Sequence, residues 1–94
     1  MFDIRIAENG HVLLSGRLDA SQINKAQEGF NHITESCTVD FSNLEYISSA
    51  GLGVLLAVRK RLGDKGHKMR LIGMNKHIHE VFRYSGMNQI FEIE

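Results

Sequence analysis

The chain has 94 residues, enough for one domain whose hydrophobic core needs no disulfide or structural metal. Eleven basic and eleven acidic side chains give a net charge of zero, so charge offers no reason to expect nucleic acid or an anionic membrane as a partner. The first residues alternate polar and apolar, unlike a signal peptide, and no apolar run approaches the roughly 18 residues of a membrane span. The single cysteine, Cys37, fits a small buried hydrophobe in a reducing compartment, and we expect a cytoplasmic protein.

Hydrophobic spacing predicts eight elements in the order β-β-α-β-α-β-α-β. Residues that alternate apolar and polar predict strands, and apolar residues three or four apart predict helices. We expect strands at 2–6, 12–18, 38–41, 68–73 and 90–93, and helices at about 20–34, 49–63 and 76–85. A hairpin followed by repeated helix-strand units predicts one α/β domain over residues 1–94, a mixed sheet with helices packed on it.

Several short signals set the expected boundaries of these elements. Asn9-Gly10 is typical of a type I′ hairpin turn. Asp19 or Ser21 can cap the first helix, and Asn75 can cap the third. Ser42-Asn43 is expected to begin a loop after the short third strand.

The junction before the second helix combines two serines and two glycines. Ser48 and Ser49 stand where the helix begins, so one of them is expected to cap it. Gly51 and Gly53 follow, although each glycine in a helix costs roughly 1 kcal/mol relative to alanine. We interpret this as a bare helix N-terminus that leaves room for a partner. Such a terminus also tolerates a phosphate on a serine, because free N–H groups and the helix dipole favour an anion.

Other chemistry finds little support in the sequence. His77 and His79 are two residues apart and point to different faces of a helix, unlike a zinc-binding pair. Ile47 stands where a nucleophile elbow needs glycine, and no phosphate-binding loop ends in Gly-Lys-Ser/Thr. The basic run from Arg59 to Arg70 is interpreted as a solvated helix face and loop. We therefore expect no enzyme activity, no metal and no cofactor.

The sequence as a whole resembles a known protein family. The matching pieces follow one another along the whole chain: Ser15-Gly16-Arg17-Leu18-Asp19, Val39-Asp40-Phe41-Ser42-Asn43-Leu44, Ile47-Ser48-Ser49-Ala50-Gly51-Leu52-Gly53, Gly66-His67-Lys68-Met69-Arg70-Leu71, Phe82-Arg83-Tyr84-Ser85-Gly86-Met87 and Ile90-Phe91-Glu92-Ile93. Their ordered combination resembles the STAS domain of sulfate transporters and anti-sigma factor antagonists, specifically the free-standing bacterial antagonists.

The resemblance implies regulation of transcription by partner switching. The unphosphorylated antagonist binds an anti-sigma factor that is also a serine kinase of the histidine-kinase-like ATPase class. Phosphorylation releases the antagonist, and a PP2C-type phosphatase restores it. The family's acceptor serine corresponds to Ser49, and Asp19 matches an acidic residue beside the site. Ser48 replaces the family's usual Asp, so Ser48 is a secondary candidate for phosphorylation and the better candidate for the cap.

The predicted partner-binding residues are those at the junction and beside it: Asp19, Ser48, Ser49, Ala50, Gly51, Leu52 and Gly53. An alternative is a constitutive STAS scaffold or sensor subunit of a multi-protein signalling complex, which would pair with like subunits through exposed apolar area. The sequence leaves a weak homodimer open in either case.

Overall fold

The computed structural model describes residues 1–94 and has the predicted order of elements. The strands are β1 (Phe2–Ile6), β2 (Val12–Leu18), β3 (Cys37–Ile47), β4 (Met69–Ile72) and β5 (Glu92–Ile93). The helices are α1 (Ile23–Asn31), α2 (Ser49–Gly63) and α3 (Lys76–Tyr84), and single 3₁₀ turns precede α1 and β5. No helix has the length and apolar character needed to cross a membrane.

The five strands form one mixed sheet in the order β1-β2-β3-β4-β5. β1 runs antiparallel to β2, and the other neighbours are parallel. Residues paired across the sheet share a face. The row Val12, Val39 and Leu71 is buried under the helices. The neighbouring row on the opposite face is only half-buried and includes Leu13, Asp40 and Ile72. All 21 buried apolar side chains form a single cluster, so the protein has one core.

β3 is longer than the sequence predicts, and the expected loop at Ser42-Asn43 is wrong. The strand continues without a break from Cys37 to Ile47. Its register against β2 shifts twice, between Leu13 and Ser15 and again between Gly16 and Arg17, and each shift adds one residue to β3. Such bulges reverse the alternation of buried and exposed residues. The extension carries the chain to the end of β2.

The turn between β1 and β2 also differs from the prediction. A type I′ turn needs positive φ at both central residues, but no residue other than glycine has positive φ. Gly10 has φ +86°, Gly10 N–H donates to Ala7 O at 2.9 Å, and Ala7 N–H donates to His11 O at 2.8 Å. This pattern is typical of a three-residue loop with glycine in the left-handed position.

Helix α1 is shorter than predicted, and α2 reinforces its end. Asp19 caps the 3₁₀ turn Ala20–Gln22 rather than the α-helix, which begins at Ile23. At the other end, Arg61 of α2 donates from its guanidinium to the carbonyls of Phe30 and Ile33, both at 2.8 Å. Arg61 is therefore a structural contact within a basic run that the sequence assigned to solvent.

Candidate functional site

The candidate site lies where β2 and β3 end side by side. Leu18 pairs with Ile47 in the parallel register, and Ser48 N–H donates to Leu18 O at 2.9 Å. The two residues that follow these strand ends, Asp19 and Ser48, are thereby held at one edge of the sheet. Both come from distant parts of the sequence, and the topology brings them together as the resemblance implied.

Ser48 is the cap of α2. Its backbone is extended, with φ −89° and ψ 169°, and its hydroxyl oxygen accepts a hydrogen bond from Gly51 N–H at 3.1 Å. The Ser48 carbonyl accepts the first helical hydrogen bond, from Leu52 N–H at 3.0 Å. The hydroxyl thus satisfies a backbone donor that the helix itself cannot pair. The prediction that Ser48 is the cap is confirmed.

Ser49 is the first residue of α2, and its side chain is exposed to solvent. Whereas the Ser48 hydroxyl oxygen is held by Gly51 N–H, no hydrogen bond within the chain involves the Ser49 hydroxyl. The first turn of the helix carries no acidic residue. An anion placed on Ser49 would therefore meet the positive end of the helix dipole without a competing carboxylate in that turn.

The two glycines serve different purposes, which corrects part of the prediction. Gly51 is buried, and a Cβ there would lie 2.8 Å from Ile47 Cγ1 and 3.0 Å from Leu18 Cγ. Its missing side chain lets α2 approach the sheet, so it does not provide room for a partner. Gly53 is exposed and has nothing within 4 Å of its Cβ position. Only Gly53 has the open surface that we expected of both.

The remaining junction residues divide in the same way. Leu52 is only 5% exposed and belongs to the core, whereas Ala50 is exposed beside Ser49. Within the junction, the exposed residues of the predicted partner surface are therefore Ser49, Ala50 and Gly53, and Asp19 is partly exposed beside them. Gly51 and Leu52 are buried beneath this surface, where they pack the start of α2 against the rest of the protein.

Asp19 adds a fixed negative charge next to this surface. Its carboxylate accepts hydrogen bonds from the Ser21 hydroxyl at 2.6 Å and from Ser21 N–H at 3.0 Å. The side-chain hydrogen bond from Ser21 is the main reason why the pKa of Asp19 is lowered. Asp19 is consequently ionised at neutral pH and held in one orientation.

An aromatic stack that was not predicted from the sequence lies next to the site. The Arg17 guanidinium lies 4.5 Å from the centre of the Tyr46 ring, and the His77 ring stacks on Tyr46 at 6.5 Å with 19° between the planes. Arg17 and Tyr46 are register partners and stand two residues before Asp19 and Ser48. Because Arg17 and Tyr46 each precede a predicted site residue by two positions, the sequence contained a signal that they lie side by side near the site.

Comparison with solved structures places the fold among those of known antagonists. An anti-sigma factor antagonist from Mycobacterium paratuberculosis superposes with a TM-score of 0.82 at 16% identity, covering 99% of this chain and 83% of that one. The Bacillus cell fate determinant SpoIIAA in its phosphorylated form gives a TM-score of 0.70 at 17% identity, covering 100% of this chain and 91% of that one. The unphosphorylated form of SpoIIAA is similar as well, with a TM-score of 0.71.

Proteins with similar sequences are also named anti-sigma factor antagonists. A candidate anti-sigma factor antagonist of Bordetella bronchiseptica, BtrV, is 35% identical over 74 residues, which cover 79% of this chain but only 58% of that relative's length. The anti-sigma-B factor antagonist of Listeria monocytogenes is 24% identical, covering 98% of this chain and 86% of that protein. A family model described as "Mlab, STAS domain" matches residues 3–92. The chain therefore belongs to the STAS-domain family.

Proposed function

We propose that this protein is an anti-sigma factor antagonist and that phosphorylation of Ser49 controls its binding. In the unphosphorylated state it binds an anti-sigma factor that is also a serine kinase of the histidine-kinase-like ATPase class, and so releases a sigma factor. The kinase phosphorylates Ser49 and the complex dissociates. A PP2C-type phosphatase then returns the protein to its binding state.

The observation that carries this proposal is the free, exposed hydroxyl of Ser49 at the start of α2. Ser48 already caps the helix by accepting a hydrogen bond from Gly51 N–H, so the helix cap does not require the Ser49 hydroxyl. A kinase can therefore modify Ser49 without removing a contact that stabilises the helix. Ser48 remains the secondary candidate, but its modification would disturb the cap.

Charge explains how one phosphate can end the interaction. Phosphorylation adds a charge of about −1.5 to −2 at neutral pH, on a surface where Asp19 is already ionised and the first turn of α2 has no acid of its own. The helix dipole stabilises this charge within the free protein. A partner that packs closely over Ala50 and Gly53 would instead have to desolvate it. The same modification is thus harmless to the fold and costly to the complex.

The binding half of the proposal is tested by affinity capture from the native cells, with the wild type and two Ser49 variants as bait. Ser49→Ala should retain the kinase, and Ser49→Asp should lose most of it. Asn88→Asp is the matched control, because it adds the same charge at an exposed residue of the 3₁₀ turn before β5. Equal capture by all three variants would support the constitutive scaffold instead.

The phosphorylation half needs a separate measurement. The captured kinase and ATP are incubated with wild type, Ser49→Ala and Ser48→Ala, and the phosphate is located by peptide mass spectrometry. We expect phosphate on Ser49 in the wild type and in Ser48→Ala, and none in Ser49→Ala. Phosphate on another residue, with Ser49 unmodified, would contradict the mechanism even if binding were observed.

A further inference from the structure

The free edge of the sheet at β1 has a self-complementary pattern. β1 is the first strand in the sheet and pairs only with β2, so its other side carries unpaired backbone groups. Its sequence, Phe-Asp-Ile-Arg-Ile, places Asp3 and Arg5 symmetrically on either side of Ile4. An antiparallel second copy centred on Ile4 would therefore set each aspartate opposite an arginine.

The hydrogen-bond pattern shows which backbone groups are available. Arg17 N–H donates to Met1 O at 2.7 Å, and Ala7 N–H donates to His11 O at 2.8 Å, so the backbone groups of Met1 and Ala7 face β2. Because these groups alternate in direction along a strand, those of Asp3 and Arg5 face β2 as well. The N–H and C=O groups of the three residues between them point to the free edge: Phe2, Ile4 and Ile6.

We propose that this edge binds the same edge of a second copy of the chain, which joins two sheets into one across a two-fold axis at Ile4. Ile4 then pairs with Ile4 of the other copy, and Phe2 pairs with Ile6. The residues that exchange backbone hydrogen bonds are the ones whose groups point outward. Asp3 and Arg5 fall on the closer, non-hydrogen-bonded positions, where opposite charges across a strand pair are favourable.

The side chains around the edge fit a second copy in this register. Ile6 is a large apolar side chain that is 57% exposed at this edge, and the dimer would cover it; Phe2, which pairs with it through the backbone, is already buried within its own chain. Arg5 is exposed and forms no ion pair. Asp3 has only a long contact of 3.7 Å to Lys25 Nζ, between two exposed side chains, which contributes little to stability. Both charges are free to pair across the edge.

Charged residues on an edge strand ordinarily oppose pairing with other chains. Here their signs are opposite and they lie two residues apart, so they favour one antiparallel register and oppose registers that set like charges together. The edge therefore selects its own copy over unrelated strands. The surface is separate from Ser49, and the inference does not depend on the proposed switch.

The test uses charge reversal and its rescue, measured by sedimentation velocity over a wide range of protein concentrations. Wild type should show a reversible monomer-dimer equilibrium. Arg5→Asp makes aspartate face aspartate across the edge, and Asp3→Arg makes arginine face arginine. Each variant should weaken the dimer roughly tenfold, because like charges face each other at two symmetric places. An equimolar mixture of the two variants should recover dimers, because every facing pair is then opposite in charge.

Two further variants separate edge pairing from other contacts. Ile6→Pro removes an outward N–H without removing a bond to β2, and it should weaken the dimer while the chain stays folded by circular dichroism. Lys65→Asp changes the net charge as much as Arg5→Asp but lies in the turn before β4, and it should leave the dimer unchanged. A wild type that stays monomeric at every concentration, or a mixture that fails to recover dimers, would overturn the proposal.

Discussion

The contrast between Gly51 and Gly53 gives the sharpest test of how the junction is built. Both lie within α2, so alanine at either position gains about 1 kcal/mol in helix propensity. At Gly51 the added methyl group would meet Ile47 at 2.8 Å and Leu18 at 3.0 Å. Overpacking of this kind costs about 1–3 kcal/mol. Gly51→Ala should therefore lower the free energy of unfolding by about 0–2 kcal/mol after the propensity gain is subtracted.

Gly53→Ala is the matched control, because its methyl group would enter open solvent. It should raise the free energy of unfolding by about 1 kcal/mol. The difference between the two variants, about 1–3 kcal/mol, isolates the contact with the sheet because the propensity gain is common to both. Urea unfolding followed by circular dichroism measures both values. If Gly51→Ala is as stable as Gly53→Ala, packing against the sheet does not require a glycine at Gly51.

Other features of the junction and of the fold predict four further outcomes. Ser48→Ala should lower the free energy of unfolding by about 1 kcal/mol in urea titrations, whereas Ser48→Asp should keep it, because aspartate caps as well as serine. Arg61→Leu should cost about 2 kcal/mol by the same method, since two charged hydrogen bonds to α1 are lost, and Arg61→Lys should recover only part. Gly53→Arg should fold normally but fail to capture the kinase in the affinity experiment, because it fills the open surface beside Ser49. Burial raises the pKa of the Cys37 thiol, so the folded protein favours the neutral thiol over the thiolate. The free energy of unfolding should therefore fall as pH rises through the alkaline range, where the thiolate forms. Cys37 should therefore react with iodoacetamide more slowly in the folded protein than in urea at mildly alkaline pH, and equal rates would contradict this.

The order of elements could be predicted from the sequence because most of them bury one regular face. In α2 the predicted bounds, Ser49 to Gly63, are those of the structure. β3 shows where periodicity fails. Phe41, Leu44 and Ile47 are all buried, yet they are three residues apart, which an unbroken alternating strand does not permit. One bulge between each successive pair of these residues turns the next side chain back toward the core. The bulges arise from the pairing of β3 with β2, so the local sequence of β3 does not predict them.

The site was predictable in its residue types but only partly in its geometry. A serine before an apolar helical run indicates a cap, and Ser48 fulfils it. The purpose of a helical glycine is set by what lies across from it in space. Gly51 faces Ile47, only four residues earlier, but it also faces Leu18 on a different strand. Only the tertiary structure distinguishes it from Gly53.

The replacement of the family's usual aspartate by Ser48 leaves the structure of the junction intact and changes its charge. Serine and aspartate are equally good helix caps, and Ser48 makes the expected bond to Gly51 N–H. The first turn of α2 thereby lacks any acidic side chain before modification. In the proposed mechanism, a phosphate on Ser49 would be the first negative charge in that turn rather than the second. The change in potential that a partner experiences at the helix start would then come from the phosphate itself, so the loss of the neighbouring acid is compatible with a switch that depends on charge.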